Sequence, residues 1–492
     1  MGRGSETGKT PIDQETDIMV FSSYIFILVF LPVVVLSYYA LSHLKDSRYQ
    51  RLFLLTASLF FYGYYNVSYL ALIAASIFIN YAAAVQIQKA EGVRAKVFLT
   101  AGILFNVGLI GYFKYYDFFV ENINAIFHSS FTLKNILLPL GISFFTFQQL
   151  SFLVSVYHRE EKVERLRDYC LFVTFFPQLV AGPIVLYSEM IPQFKDESRR
   201  FFDAGNFSAG IYMFCIGLFK KVVIADTVAL WVDNGFGMGG LGLIAAWATA
   251  LSYTMQIYFD FSGYSDMAIG LGKMFNIDIP CNFKSPYRSE SIGEFWRKWH
   301  ITLGRALSAY IYKPLGGNRR GIVRTCINLF LTFLVSGFWH GAAWTFILWG
   351  VLHGVCSIVE RIAGDRRKAI PRPVRVFATF LIVNALWVLF RAESFSQAME
   401  VYRGMVNFGY LGLSGLTTMA YDGVIAFPAV VNYAYVLGSI ALLLLVVFRG
   451  TSSADMLKSF KPTKGTLLTS AVLFCISVLC LGRNSVFIYF NF

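Results

Sequence analysis

The sequence predicts an all-α, polytopic integral membrane protein with about eleven to twelve transmembrane helices and one re-entrant segment. Three observations carry this. The 492 residues are 56% hydrophobic and 14% charged, with a mean hydropathy of +0.57, whereas soluble domains carry about 25% charged residues. Apolar runs of about 20 residues, the length that crosses the hydrocarbon core, recur along nearly the whole chain. Basic residues gather in short loops between those runs and alternate with loops nearly free of them, which is the positive-inside pattern. The same distribution argues against nucleic acid as the partner of the +13 net charge and points to the lipid bilayer.

Residues 1–18 are polar and read as a disordered extension. Their Gly8-Lys9-Thr10 misses the phosphate-loop spacing and follows no strand, so a nucleotide site is not expected. Residues 19–492 read as a single membrane domain. Helices are expected near 21–41, 52–65, 69–87, 97–117, 135–157, 207–231, 243–270, 322–339, 341–360, 374–391, 425–448 and 466–484. The loops around Lys45, Arg48 and Arg51, around Lys89 and Arg94, from Arg159 to Arg167, from Arg361 to Lys368, and from Lys458 to Lys464 are expected on one side. The positive-inside rule makes that side cytoplasmic and leaves both termini outside.

Segment 169–187 is apolar but broken by Pro177, Gly182 and Pro183, with basic residues on both flanks. Irregular backbone at membrane depth is tolerated only where protein buries it or it lines a cavity, so this is the re-entrant segment. The seven cysteines form no Cys-x-x-Cys pair and read as small core hydrophobes, with no metal site expected. No internal repeat is visible, which weakens a transporter reading.

Ionisable side chains at membrane depth are costly and usually mark a working site. His300, in Phe295-Trp-Arg-Lys-Trp-His300, and His340, in Ser336-Gly-Phe-Trp-His-Gly341, stand forty residues apart in the most apolar half of the chain. On a continuous helix Trp296, Trp299 and His300 would share one face, as would Ser336, His340 and Trp344. The first pattern also fits an interfacial helix with tryptophans at headgroup level. The second leaves His340 open between an interhelical hydrogen bond and catalysis. Gly337 and Gly341 form a small-xxx-small pair for close helix approach. Gln256, Asp260 and Tyr264 make a polar stripe, with Asp266 beyond them, and Lys220 and Lys221 interrupt another apolar run; buried Asp–Lys pairs are the expected explanation. His353 is expected to pack on a different helical face from His340.

The runs Tyr258-Phe-Asp-Phe-Ser-Gly-Tyr-Ser-Asp266, Glu294-Phe-Trp-Arg-Lys-Trp-His300, Tyr312-Lys-Pro-Leu-Gly-Gly-Asn-Arg319 and Ser336-Gly-Phe-Trp-His-Gly-Ala342 together resemble the membrane-bound O-acyltransferase family, in its bacterial alginate O-acetyltransferase-like branch. Leu138-Pro-Leu-Gly-Ile-Ser-Phe144, Phe175-Phe-Pro-Gln-Leu-Val-Ala-Gly-Pro183 and the ending Phe487-Ile-Tyr-Phe-Asn-Phe492 extend the resemblance from Met19 to the end. Departures from the family pattern fall at Ser155-Val-Tyr-His158, Leu186 and Ser308-Ala-Tyr310.

The resemblance implies an enzyme of the bacterial inner membrane with no bound cofactor. It would move acetyl from a cytoplasmic thioester, acetyl-CoA, towards an exported polysaccharide: alginate first, cellulose or peptidoglycan as alternatives. An alcohol attacks a thioester poorly unless a base takes its proton, and a histidine is such a base. His340 is therefore expected as the base, with His300 orienting it or donating to the developing oxyanion. Lys284, Arg288, Arg319 and Arg320 are candidate holders of the CoA phosphates, with anionic lipid headgroups an equal alternative. The tail resembles an acyl-carrying segment. Tyr489 is then an acetyl shuttle to an extracytoplasmic SGNH-type transferase or esterase, against the simpler reading of an aromatic interface anchor. The competing function is a non-catalytic polysaccharide exporter whose histidines line a conduit.

Overall fold

The computed structural model describes residues 19–421, 428–482, and 487 and 488. Among them every regular element is a helix or helical turn. Each of the twelve expected apolar segments overlaps at least one of them, although 135–141 is not helical and 425–427 and 483–484 lie outside the described residues. Seven of these helices are long and apolar enough to cross a membrane, and two shorter apolar helices are Ile142–Tyr157 and Lys464–Cys480. The chain is a multi-pass integral membrane protein.

Ala204–Leu218 and Leu243–Met274 form the tightest pair, and glycine is the reason. A Cβ on Gly210 would lie 2.7 Å from the carbonyl oxygen of Gly270, and one on Gly217 would lie 2.5 Å from that of Gly263. Glycines seven residues apart on each helix thus meet in antiparallel register, letting backbones touch where side chains would hold them apart. Leu243–Met274 is buried along almost its whole length and serves as the axis of the molecule. The Ala204–Leu218 helix continues through a π-helical stretch, Phe219–Ala225, into Asp226–Gly237. From this stretch consecutive lysines both reach the axial helix: Lys220 pairs with Asp266 at 2.6 Å, and Lys221 with Asp260 at 2.9 Å and Asp226 at 2.6 Å. The stripe's Asp260 and the neighbouring Asp266 are therefore held in buried Asp–Lys pairs, as expected.

The segment expected to be re-entrant is broken in the manner its prolines and glycine dictate. Leu166–Thr174 ends at Phe175, Phe176–Leu179 makes a single turn, and the chain runs irregularly to Tyr187–Lys195. Phe172, Val173, Phe175, Phe176, Leu179 and Val185 have no exposed surface, so the irregular backbone lies inside protein.

Residues of the basic loops bind segments far off in the chain. Arg200 donates to the carbonyls of Ser42 and Leu44. Arg159 donates to those of Gln88 and Ala90, Lys195 pairs with Glu164, and Arg372 and Arg375 pair with Glu290. Each of these contacts joins loops far apart in sequence.

Candidate active site

Two helices end where the sequence pattern runs on. Ile292–Lys298 begins with Ser291, whose Oγ accepts from the Glu294 N–H, and stops at Lys298. Trp299 is extended and His300 left-handed, with φ 44°. Trp296, Trp299 and His300 therefore do not share a helical face. The physical cause is the packing of Trp299, which is 1% exposed; its ring lies 4.9 Å from that of Trp387 and 5.0 Å from that of Phe283. Such burial also overturns the headgroup-level reading of that tryptophan. The turn is fixed from outside: Asn282 accepts from the N–H of Ile301 through its carbonyl and from the Thr302 N–H and hydroxyl through its side chain. Ile184 of the broken segment donates its N–H to the same Thr302 hydroxyl.

The second break falls at His340 itself. Gly321–His340 stops there, Gly341 is extended, and Trp344–Ala363 starts a new helix. Trp344 is consequently not one turn beyond His340 on a common face; it is 55% exposed, while its indole N–H donates to Asn122. Gly337 does meet the following helix closely, since a Cβ there would lie 2.5 Å from the Phe346 carbonyl oxygen, whereas at Gly341 it would strike the Phe346 ring.

These breaks bring the two histidines against one tryptophan. The rings of His300 and Trp339 are 6.0 Å apart, and those of Trp339 and His340 are 4.9 Å apart. Phe261 of the axial helix meets His300 at 4.7 Å, edge to face. Trp349 and Phe390 each meet His340 at 5.1 Å. His300 is fully buried and His340 is 3% exposed. Aromatic walls of this kind exclude water and fix ring orientation, conditions that favour proton transfer from a bound hydroxyl, and its acylation, over hydrolysis. His353 lies on the next helix, 4.8 Å ring to ring from Trp349, and accepts a hydrogen bond from the Trp296 indole N–H at 3.2 Å. It is a packed, hydrogen-bonded histidine, as expected, though it supports the wall behind His340.

The four candidate phosphate-holding cations lie on two stretches of chain, 284–288 and 319–320. Arg288 donates to the carbonyls of Val447 and Gly450 and so closes the end of the Ala429–Arg449 helix. Lys284 is exposed, and its backbone N–H donates to the Lys298 carbonyl, two residues from His300. Arg319 and Arg320 are exposed at the start of the helix that carries His340 at its other end. Its 20 residues span about 30 Å. Tyr489 lies outside the described residues, but the two residues before it do not sit on a surface. Phe487 stacks on Tyr264 at 4.6 Å, and the Ile488 N–H donates to Asp260 at 2.9 Å; they are 3% and 9% exposed. The described end of the chain thus packs on the axial helix beside Phe261, the residue that backs His300.

One cation near the site escaped the sequence analysis. Lys114, within the expected apolar run 97–117, contacts the backbone at His340; a lone lysine in such a run was the available signal.

With this geometry in view, similarity to known proteins becomes specific. The membrane-bound O-acyltransferase family model matches residues 165–390, which contain the broken segment, the axial helix and both histidines. The chain is 40% identical to the peptidoglycan O-acetyltransferase of Helicobacter pylori, over 96% of this chain and 98% of that one. It is 42% identical to a probable alginate O-acetylase of Pseudomonas putida, over 84% and 86% of the two chains. The teichoic acid D-alanyltransferase of Bacillus subtilis is 28% identical over 45% of this chain and 58% of its own length. The chain belongs to the membrane-bound O-acyltransferase family, and it is an acyltransferase.

Proposed function

We propose that this protein moves acetyl groups across the bacterial inner membrane for O-acetylation of an exported cell-envelope polysaccharide, drawing on acetyl-CoA on the cytoplasmic side. The observation that carries the reading is the buried pair His300 and His340 about Trp339, with the described end of the C-terminal tail packed beside Phe261 behind it.

His340 accepts the proton of the attacking hydroxyl as its oxygen adds to the thioester carbonyl. His300 donates to the oxyanion or holds the geometry in which it forms. Collapse of the tetrahedral intermediate expels the CoA thiolate, which takes the proton back from His340. Tyr489 is the first acceptor in this scheme. Its phenol becomes an acetyl ester, which then passes the acetyl group to the serine of an SGNH-type partner outside the membrane. An aryl ester is an activated donor, so two short transfers replace one long one. Lys284, Arg288, Arg319 and Arg320 remain the candidates for the CoA phosphates, Arg288 through the donors its two carbonyl partners leave over.

Among polymers, peptidoglycan is tested first, because the relative named for it matches nearly the full length of both chains; alginate-like polymers follow. The test is His340→Ala. Polymer ester acetate falls to background at unchanged protein level, while polymer secretion continues. Normal acetylation overturns the reading, and loss of secretion favours the exporter.

A further inference from the structure

The helix that ends in His340 is closed by a different helix, and a lysine does most of the closing. A helix terminus leaves its last carbonyls without intrahelical donors, and the extended Gly341 removes the usual continuation. Three consecutive carbonyls are supplied from the Gly92–Phe127 helix. The Tyr115 hydroxyl donates to Phe338, and the Lys114 ammonium donates to Trp339 at 2.7 Å and to His340 at 2.9 Å. One and two turns further along, Phe118 packs on Trp344 at 5.8 Å and Asn122 accepts from its indole N–H at 2.9 Å. Lys114, Phe118 and Asn122 are four residues apart and share a helical face. That face grips both sides of the break, its last residue before Gly341 being the histidine.

Among the described residues Lys114 has carbonyl partners and no carboxylate within ion-pair distance. An ammonium at such a place is costly without a counter-ion, and a neutral donor would satisfy carbonyls with less desolvation. What a cation adds is complementarity to the negative end of a helix dipole and two simultaneous bonds from one atom, which fix the direction of the last turn.

We propose that Lys114 is the positioning residue for His340: it holds the final turn of the histidine helix so that the imidazole stays aimed past Trp339 towards the reacting carbonyl. The inference rests on the acyl-transfer role of His340. Loss of the clamp lets the last turn unwind. The base is then present but misaimed, and a misplacement of about 1 Å in such a group can cost on the order of a hundredfold in rate.

The test compares Lys114→Met, which keeps the apolar stem, with Lys114→Arg, which keeps the charge and paired donors. Both are made in the full-length protein alongside His340→Ala. Two quantities are read: polymer acetylation per inserted protein, and amide hydrogen exchange of residues 338–344 in the purified protein. Lys114→Met is expected to lose at least tenfold in acetylation and to exchange faster at 338–344 but not at 297–303. Lys114→Arg is expected to recover most of both. If Lys114→Met does not accumulate, Tyr115→Phe removes one of the three carbonyl partners and is expected to lose a few-fold in activity with the same local exchange signature. Wild-type activity in Lys114→Met, or lost activity with unchanged exchange, overturns the proposal. Full activity in His340→Ala overturns the acyl-transfer reading instead, and the exchange data still judge the clamp.

Discussion

Replacing Gly217 by alanine tests the packing that places the site. A Cβ built there lies 2.5 Å from the carbonyl oxygen of Gly263 and 2.6 Å from the backbone nitrogen of Met267. Both are backbone atoms of the axial helix, so no side chain can swing aside. For ordinary contact the two helices must separate by about 1 Å. Overpacking of this kind costs about 1–3 kcal/mol, and the intrinsic gain of alanine over glycine in a helix returns about 1 kcal/mol. Gly108→Ala supplies the control, since nothing lies within 4 Å of its built Cβ; there only the gain remains. Detergent-solubilised protein, heated and then passed through size exclusion, should show a lower melting midpoint for Gly217→Ala and an equal or higher one for Gly108→Ala. Activity should follow stability. Gly263 is two residues from Phe261, whose ring faces His300 at 4.7 Å, so displacing the axial helix moves that wall. A Gly217→Ala protein with wild-type midpoint and activity would refute the close approach and the transmission to the site.

Lys221→Met leaves Asp226 and Asp260 without their ion pairs with Lys221. Breaking a buried pair costs about 3–5 kcal/mol, so folded protein recovered from membranes should fall severely, and normal recovery would show the network to be dispensable. Tyr489→Phe keeps the ring and removes the nucleophile; polymer acetate should be lost at constant protein level, and full acetylation would leave the residue as an anchor. With native cysteines replaced, a cysteine at the exposed Asn318 should resist membrane-impermeant thiol reagents until cells are opened. Ready labelling of intact cells would invert the assigned sidedness and move the donor site with it.

Sequence alone determined the membrane class, the approximate positions of the apolar helices among the described residues and the broken segment at 169–187. These follow from apolar length, proline and glycine, which act locally whatever the neighbours. It also pointed to the two histidines, because an ionisable group in an apolar run is conspicuous by its cost. Where the helices end was decided by tertiary structure. Periodicity reports a shared face only while the helix persists; nothing local to Trp299 stops one, and Gly341 permits a stop without requiring it. Trp299 leaves its helix for rings at 283 and 387, and the final carbonyls before Gly341 are taken by Lys114 and Tyr115. Lys114 and Tyr115 lie more than two hundred residues before His340, and a helix stops where distant groups satisfy its terminus better than its own next turn would. The same two breaks set His300 and His340 about Trp339, so the site exists only once the chain has folded around them.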